Sequence, residues 1–148
     1  IQKDNPDEGS ISSGEYTVNI SQFRPTGETL FNGWDSAGPG YNFGGNLGIS
    51  LDTMEILSKE VDAPYILTKA IPVKPFTRYA IPSTFNGSIN AYTSVGDKSS
   101  GITPTEGDGY KVITTDIRQY YLVFSCHMSS YEDYENFKIK EIYSGLVF

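Results

Sequence analysis

The sequence is short of nearly everything that catalysis, covalent bracing or nucleic-acid binding draws on. Its 148 residues include one cysteine, one histidine, one tryptophan and two methionines. A single cysteine, Cys126, excludes an intrachain disulfide, so the fold must rest on packing. Basic residues number 11 against 18 acidic ones, for a net charge of −7 and a pI near 4.6. Backbone binding of nucleic acid needs a basic surface that displaces counterions, and an anionic bilayer attracts the same kind of surface. Nucleic acid and membrane insertion are therefore not expected. Neutral or weakly charged partners fit better, such as sugars or another protein. No apolar run reaches the ~18 residues of a membrane-spanning helix, and no signal peptide is visible.

Catalytic signatures are missing as well. There is no G-x-S-x-G, P-loop, H-E-x-x-H or C-x-x-C, and no G-x-G-x-x-G with a following acid. His127 adjoins Cys126, but neighbours on a strand point to opposite faces, so no thiol–imidazole dyad forms unless the strand ends between them. Glu132, Asp133 and Glu135 cluster, yet a retaining glycosidase needs two carboxyls about 5 Å apart across a cleft. No enzyme and no required cofactor is expected. Calcium bound through Asp side chains and backbone oxygens is a possible structural ion, although no EF-hand spacing occurs.

What the chain does have is aromatic. Phe, Trp and Tyr make up 14% of it, led by 11 tyrosines, with 15 glycines and 8 prolines. Aromatic and β-branched residues among dense turns predict an antiparallel β-sandwich of one domain, with at most one short helix.

The stretch from Ala70 to Thr93 carries the strongest local signal. Asn86-Gly87 lies between two β-patterned runs, which predicts a type I′ hairpin. A two-residue turn pairs Thr84 with Ile89 and Pro82 with Ala91, and then the apolar sets face opposite ways. A bulge at Pro82, which lacks a ladder donor, puts Tyr79 and Ile81 on one buried face with Ile89 and Ala91. Asn90 and Tyr92 then lie on the opposite face.

Elsewhere, residues 1–13 read as a linker or arm and 14–148 as the sandwich domain. Because the chain begins at Ile1, it reads as part of a longer protein. Gly14 to Ile20 alternates as a strand. Thr26 to Gly48, rich in glycine, reads as loops with short strands. Leu51 to Val61 fits either a helix capped by Asp52 or a strand and turn. Strands are expected at Pro64–Thr68, Tyr110–Thr114, Tyr120–Cys126 and after Asn136, with Phe137 and Ile139 inward and Lys138 and Lys140 outward. Tyr120–Cys126 is apolar on both faces, as a strand covered on both sides should be.

A-I-P-V-K-P-F-T-R-Y from Ala70 resembles the opening of jelly-roll modules in tail, baseplate and lysin proteins of phages of Gram-positive bacteria. I-N-A-Y from Ile89, T-T-D-I-R-Q-Y-Y-L-V-F-S from Thr114 and F-K-I-K-E-I-Y-S-G from Phe137 follow in the same order. The resemblance spans about Ile66 to Gly145. It implies a carbohydrate-binding module on the virion that recognises a cell-wall polysaccharide of the host during adsorption, beside other tail or baseplate subunits. That family fixes no sugar contacts to these motifs, so none carry over. The glycine-rich segment and the loop after Thr93 depart from the pattern.

A tyrosine or tryptophan ring offers a flat apolar face to a pyranose and a polar tip to its hydroxyls. The candidate saccharide contacts are therefore Trp34, Tyr41, Tyr92, Tyr110, Tyr131 and Tyr134, with Asn90, Asp97 and Arg118 as hydrogen-bonding partners. Two other readings stay open. One is a structural sandwich that mediates protein–protein assembly, favoured if these rings are buried. The other is a glycoside hydrolase, which requires facing acids with a raised pKa.

Overall fold

A strand with apolar residues on both faces has to be covered on both faces, and the apolar run ending at Cys126 lies at the centre of the molecule. The computed structural model describes residues 24–25, 30–31, 33–34, 40–42, 47–60, 62–134 and 137–143, with the backbone alone at 24, 25 and 143. The strand expected at Gly14–Ile20, the arm at 1–13, most of the glycine-rich segment and Glu135 lie outside these residues.

Ten strands are present among them. They are β1 (Arg24–Pro25), β2 (Tyr65–Leu67), β3 (Ile71–Pro72), β4 (Arg78–Pro82), β5 (Ser88–Tyr92), β6 (Lys98–Gly101), β7 (Thr105–Glu106), β8 (Tyr110–Thr114), β9 (Tyr121–His127) and β10 (Lys140–Tyr143). A 3₁₀ turn at Met128–Ser130 leads into one helical turn, α1 (Tyr131–Tyr134). The strands form two antiparallel sheets, ordered β1-β10-β4-β8-β7 and β2-β9-β5-β6, with β3 also paired to β9. The fold is an antiparallel β-sandwich, with a single short helix among the described residues.

Alternation along β9 explains the layering. Leu122, Phe124 and Cys126 point at the other sheet, into a core with Ile66, Ile71, Tyr79, Ile81, Phe85, Ile89, Ile113, Phe137 and Ile139. Val123 points the other way, into a second cluster with Leu47, Ile49, Ile56, Leu67, Ala70 and Tyr92. Each large apolar side chain so buried stabilises the fold by about 1.5–3 kcal/mol. Residues 47–57 supply the outer cover. They do so as a turn and not a helix: Ile49 bridges Ile56, the Ser50 amide donates to the Glu55 carbonyl, and Met54 takes φ +62°. This is the strand-and-turn alternative for Leu51–Val61, favoured because Ile49 and Ile56 can then lie side by side on β9 and β2.

The hairpin expected at Asn86-Gly87 does not form. Strand β4 pairs with β10 and β8, and β5 pairs with β9 and β6, so residues 82–88 cross from one sheet to the other. Pro82 ends β4 in regular register opposite Tyr110, without a bulge. Tyr79, Ile81, Ile89 and Ala91 do share one buried face, but they meet across the sandwich and not across a turn. The tight turn falls instead at Pro82–Phe85, where the Phe85 amide donates to the Pro82 carbonyl, and strand partners were decided by the whole apolar surface. Irregular pairing occurs elsewhere. Leu67 opposes Ser125 whereas Ile71 opposes Leu122, one residue out of step, which keeps both Ile66 and Ile71 inward.

Gly87 is required by close approach. A β-carbon there would lie 2.1 Å from the Ser125 carbonyl oxygen and 2.6 Å from the Phe85 ring, both held by the core. Gly87→Ala is expected to cost about 3 kcal/mol by overpacking. Urea denaturation checks this, and a change below about 0.5 kcal/mol would contradict the crossover geometry described.

Candidate functional site

The structure does not gather the nine candidate residues on one surface. Asn90 and Tyr92 do lie on the face of β5 opposite Ile89, but at Tyr92 that face is covered by residues 47–57. Tyr92 is fully buried and Asn90 nearly so. Tyr92 is not presented to a ligand, whereas Asn90 lines an open cleft with Ser88, Gly101 and Thr103. The Tyr92 hydroxyl has no hydrogen-bond partner, and burial pushes its pKa up to about 12.

Trp34, Tyr131 and Tyr134 do come together, as a brace for the core. The Trp34 ring meets Phe31 and Tyr131 edge-on at 5.9 and 5.8 Å and lies near Phe137, while its Nε1–H donates to the Tyr134 carbonyl at 3.1 Å. Tyr134 is only 8% exposed. Its ring packs on Phe85, and its hydroxyl takes the Asn86 amide and donates to the Thr84 carbonyl. Tyr134 thus ties down the sheet-to-sheet crossover. Its register at the end of α1 leaves no face for a sugar.

Asp97 and Arg118 sit in turns at the other end of the sandwich. The Asp97 amide and carbonyl close the turn from Thr93, and the Arg118 amide donates to its neighbour Asp116. Lys111, on β8, is engaged with the Phe85 carbonyl at 2.8 Å and so does not join Arg118 in a basic patch. Cys126 points into the core and His127 to the exterior, although both lie within β9. Burial, then the nearby Asp133, raises the thiol to about 11, so it stays protonated at neutral pH. Among the described residues no group of three or more His, Cys, Asp or Glu could hold a metal ion.

Of the open surfaces, one runs along Asn90 and Gly101 and another along Gly48 and Asp97, and two more carry an aromatic ring. The first of these two is a cleft of about 450 Å³ lined by Asn42, Glu60, Asp62, Ala63, Pro64 and Tyr65. Tyr65 stands directly opposite Tyr41 on one side and His127 on the other, so three rings form a row on the outer face of the β2-β9 sheet. At a strand spacing of ~4.8 Å the row spans about 10 Å. Tyr65 is 42% exposed and meets His127 edge-on at 5.7 Å. The Lys59 ammonium lies 5.5 Å from the Tyr41 ring centroid, a cation–π contact. Polar groups converge beside the rings: Asn42 donates to Glu60 at 2.8 Å, and Glu60 and Asp62 are exposed. The arrangement offers a ring to stack on and carboxylate and amide oxygens to accept hydroxyl hydrogens. Of the sequence candidates only Tyr41 belongs to it. Tyr65 and His127 were legible only as ends of apolar strands, where the residue after the last inward one has to face out.

The second is a groove of about 210 Å³ on the outer face of the other sheet, lined by Ala80, Ile81, Pro82, Tyr110, Lys138 and Lys140. Ala80 packs there with Val112 and Ile142, and Tyr110 lies against them. Tyr110 is the candidate that lines this groove. Burial, then Asp108, raises its pKa.

No protein-family model matches this chain, and no curated protein or solved structure matches it significantly.

The packing of Trp34 makes Trp34→Ala a stability variant. It is expected to lower stability by about 3 kcal/mol, read by chemical denaturation, and an unchanged midpoint would contradict the brace. Tyr92 and Cys126 set an alkaline limit. Both have folded pKa values raised above the unfolded ones, so their contribution is intact below about pH 9 and is lost as pH rises through 11 to 12. Tyr92→Phe, which removes a buried unpartnered hydroxyl, should raise stability by about 1 kcal/mol at pH 7 and flatten the fall above pH 10. A less stable variant would show that the hydroxyl is satisfied in solution.

Proposed function

We propose that this chain is a non-catalytic carbohydrate-binding module of a phage tail or baseplate protein, holding a cell-wall saccharide of the bacterial host during adsorption. One observation carries the reading: the exposed Tyr65 ring, between Tyr41 and His127, stands beside Asn42, Glu60 and Asp62 in a cleft large enough for a sugar ring. Aromatic face plus convergent polar groups is the chemistry a pyranose needs, with apolar C–H faces on one side and hydroxyls at the rim. The platform is built on strands, so its rings keep their spacing without a ligand. Each such contact is weak, and many copies on one virion would multiply it. The family resemblance of residues 66–145 supports the same role.

A second reading, protein–protein assembly within the virion, has its own observation. Five of the exposed large apolar residues gather at the end of the sandwich away from the cleft: Leu51, Phe76, Val95, Ile117 and Tyr120. The turns that carry them touch: Thr115 bonds Thr77, the Val73 amide donates to the Tyr120 carbonyl, and Leu51 lies beside Gly96. Phe76 is 71% exposed with φ +53°, a left-handed conformation that is unfavourable for a bulky side chain. Clustered exposed apolar groups mark contact surfaces more reliably than scattered ones.

Binding of labelled protein to host cell walls, before and after their polysaccharide is stripped, tests the first reading. Binding should be lost on stripping, and Tyr65→Ala should weaken it about tenfold, the ~1.4 kcal/mol of one aromatic stack, without changing the melting temperature. Binding that survives stripping, or that Tyr65→Ala leaves intact while Phe76→Ser abolishes it, would transfer the role to the apolar end.

A further inference from the structure

The groove on the outer face of the β10-β4-β8 sheet combines features that the cleft lacks. Its floor is nearly all apolar, because the residues of β4 that face outward there are small: Ala80 in the middle and Pro82 at the end. Register sets the walls. Lys140 stands opposite Ala80, and Ala80 opposite Val112; Pro82 stands opposite Tyr110. Lys138 precedes Lys140 by two residues, shares its face and lines the same groove, while Ile139 between them is fully buried on the inner side. So two lysine side chains line one side and the Tyr110 side chain the other, on strands two spacings or ~10 Å apart. Gly107 sits under that ring, where a β-carbon would come within 2.9 Å of it and of the Tyr110 carbonyl, so the loop closes against the tyrosine and holds it in place.

The charges are the unexpected part. The chain carries 18 acidic residues and only 11 basic ones. Lys74 pairs with Glu141 at 3.2 Å. Lys138 and Lys140, by contrast, have no ion-pair or hydrogen-bond partner among the described residues. Two like charges on one side of an apolar floor repel each other and gain from an anion placed between them. The apolar floor and the tyrosine ask for a ring or short carbon skeleton attached to that anion. A free inorganic ion would use only the lysines.

We infer that this groove is a second saccharide subsite, selective for a sugar unit bearing a carboxylate or a phosphate, with Lys138 and Lys140 on the anion and Tyr110 and Pro82 on the ring. The inference rests on the reading of the chain as a carbohydrate-binding module, and it adds a charge requirement on a different sheet from the Tyr65 cleft. It also answers how a protein of net charge −7 can hold an anionic wall polymer: the repulsion is long-range and screened within ~8 Å at physiological salt, while the lysines act at contact.

Isothermal titration of the 148-residue protein with three probes separates the possibilities: maltotriose (neutral), trigalacturonate (carboxylate) and a short glycerol-phosphate polymer. At least one anionic probe should bind at least tenfold more tightly than maltotriose, and its affinity should fall as salt rises from 50 to 300 mM. The double variant Lys138→Gln/Lys140→Gln, both at surface positions and checked for an unchanged melting temperature, should lose that preference while keeping any maltotriose binding. Tyr110→Ala should weaken the anionic probes, whereas Tyr65→Ala should not. Which anionic probe responds identifies the carboxylate or the phosphate. Several results would overturn the inference: equal affinity for all three probes, an anionic preference that survives the lysine substitutions, or binding of a hexaglutamate peptide to these lysines with neither charged glycan binding. If Tyr65→Ala abolishes sugar binding and the lysine variant does not, the cleft stands and the subsite falls. If no saccharide binds at all, both fall.

Discussion

Covering both faces of β9 is the constraint on which the rest depends. Leu122, Phe124 and Cys126 need the second sheet on one side, and Val123 needs residues 47–57 and Tyr92 on the other. The first requirement forces the chain to cross between sheets after Pro82. That crossing needs a tight path past Ser125, which only Gly87 allows, and an anchor for its free backbone groups, which Tyr134 supplies. The second requirement turns the outer face of the same sheet into a second core over most of its length. Only beyond the edge of that cover, at Tyr65 and His127, does the sheet reach solvent with its aromatic rings exposed.

The same economy decides what the aromatic residues do. With one cysteine no intrachain disulfide can form, and the large buried rings add apolar area that the fold draws on. Phe85, Phe124, Phe137 and Tyr134 pack in one cluster with centroid separations of 4.8–5.6 Å, and Trp34 and Tyr131 extend it outward. Rings committed to such contacts cannot also stack on a ligand. High tyrosine content is therefore weak evidence for a binding surface, and the position of a ring at the edge of a covered sheet is stronger.

Much of the fold was legible from residues alone. Period-two alternation located Tyr110–Thr114, the inward Phe137 and Ile139, and the doubly apolar β9, because each reports burial directly. The partners of strands were not legible at Asn86-Gly87, since a local turn preference cannot distinguish a hairpin from a corner between sheets. The site was less legible still. Asn90 and Tyr92 were correctly assigned to the face opposite Ile89, but whether that face meets water depends on residues 47–57, some 40 positions earlier in the chain. Lys138 and Lys140 were read as outward and nothing more. Their pairing with an apolar floor depends on which strand lies beside them, and Ala80 and Pro82 are far away in sequence.

We propose that binding belongs to the row Tyr41–Tyr65–His127 and its neighbouring polar groups, while Trp34, Tyr131 and Tyr134 pack with the core. Amide chemical-shift mapping during titration with fragments of host cell-wall polysaccharide tests it most directly. A neutral fragment should shift residues 41–42, 59–65 and 127 together and leave 34, 131 and 134 unmoved. Shifts centred on Trp34 and Tyr131, or on the apolar turns at 76, 95 and 117, would contradict it.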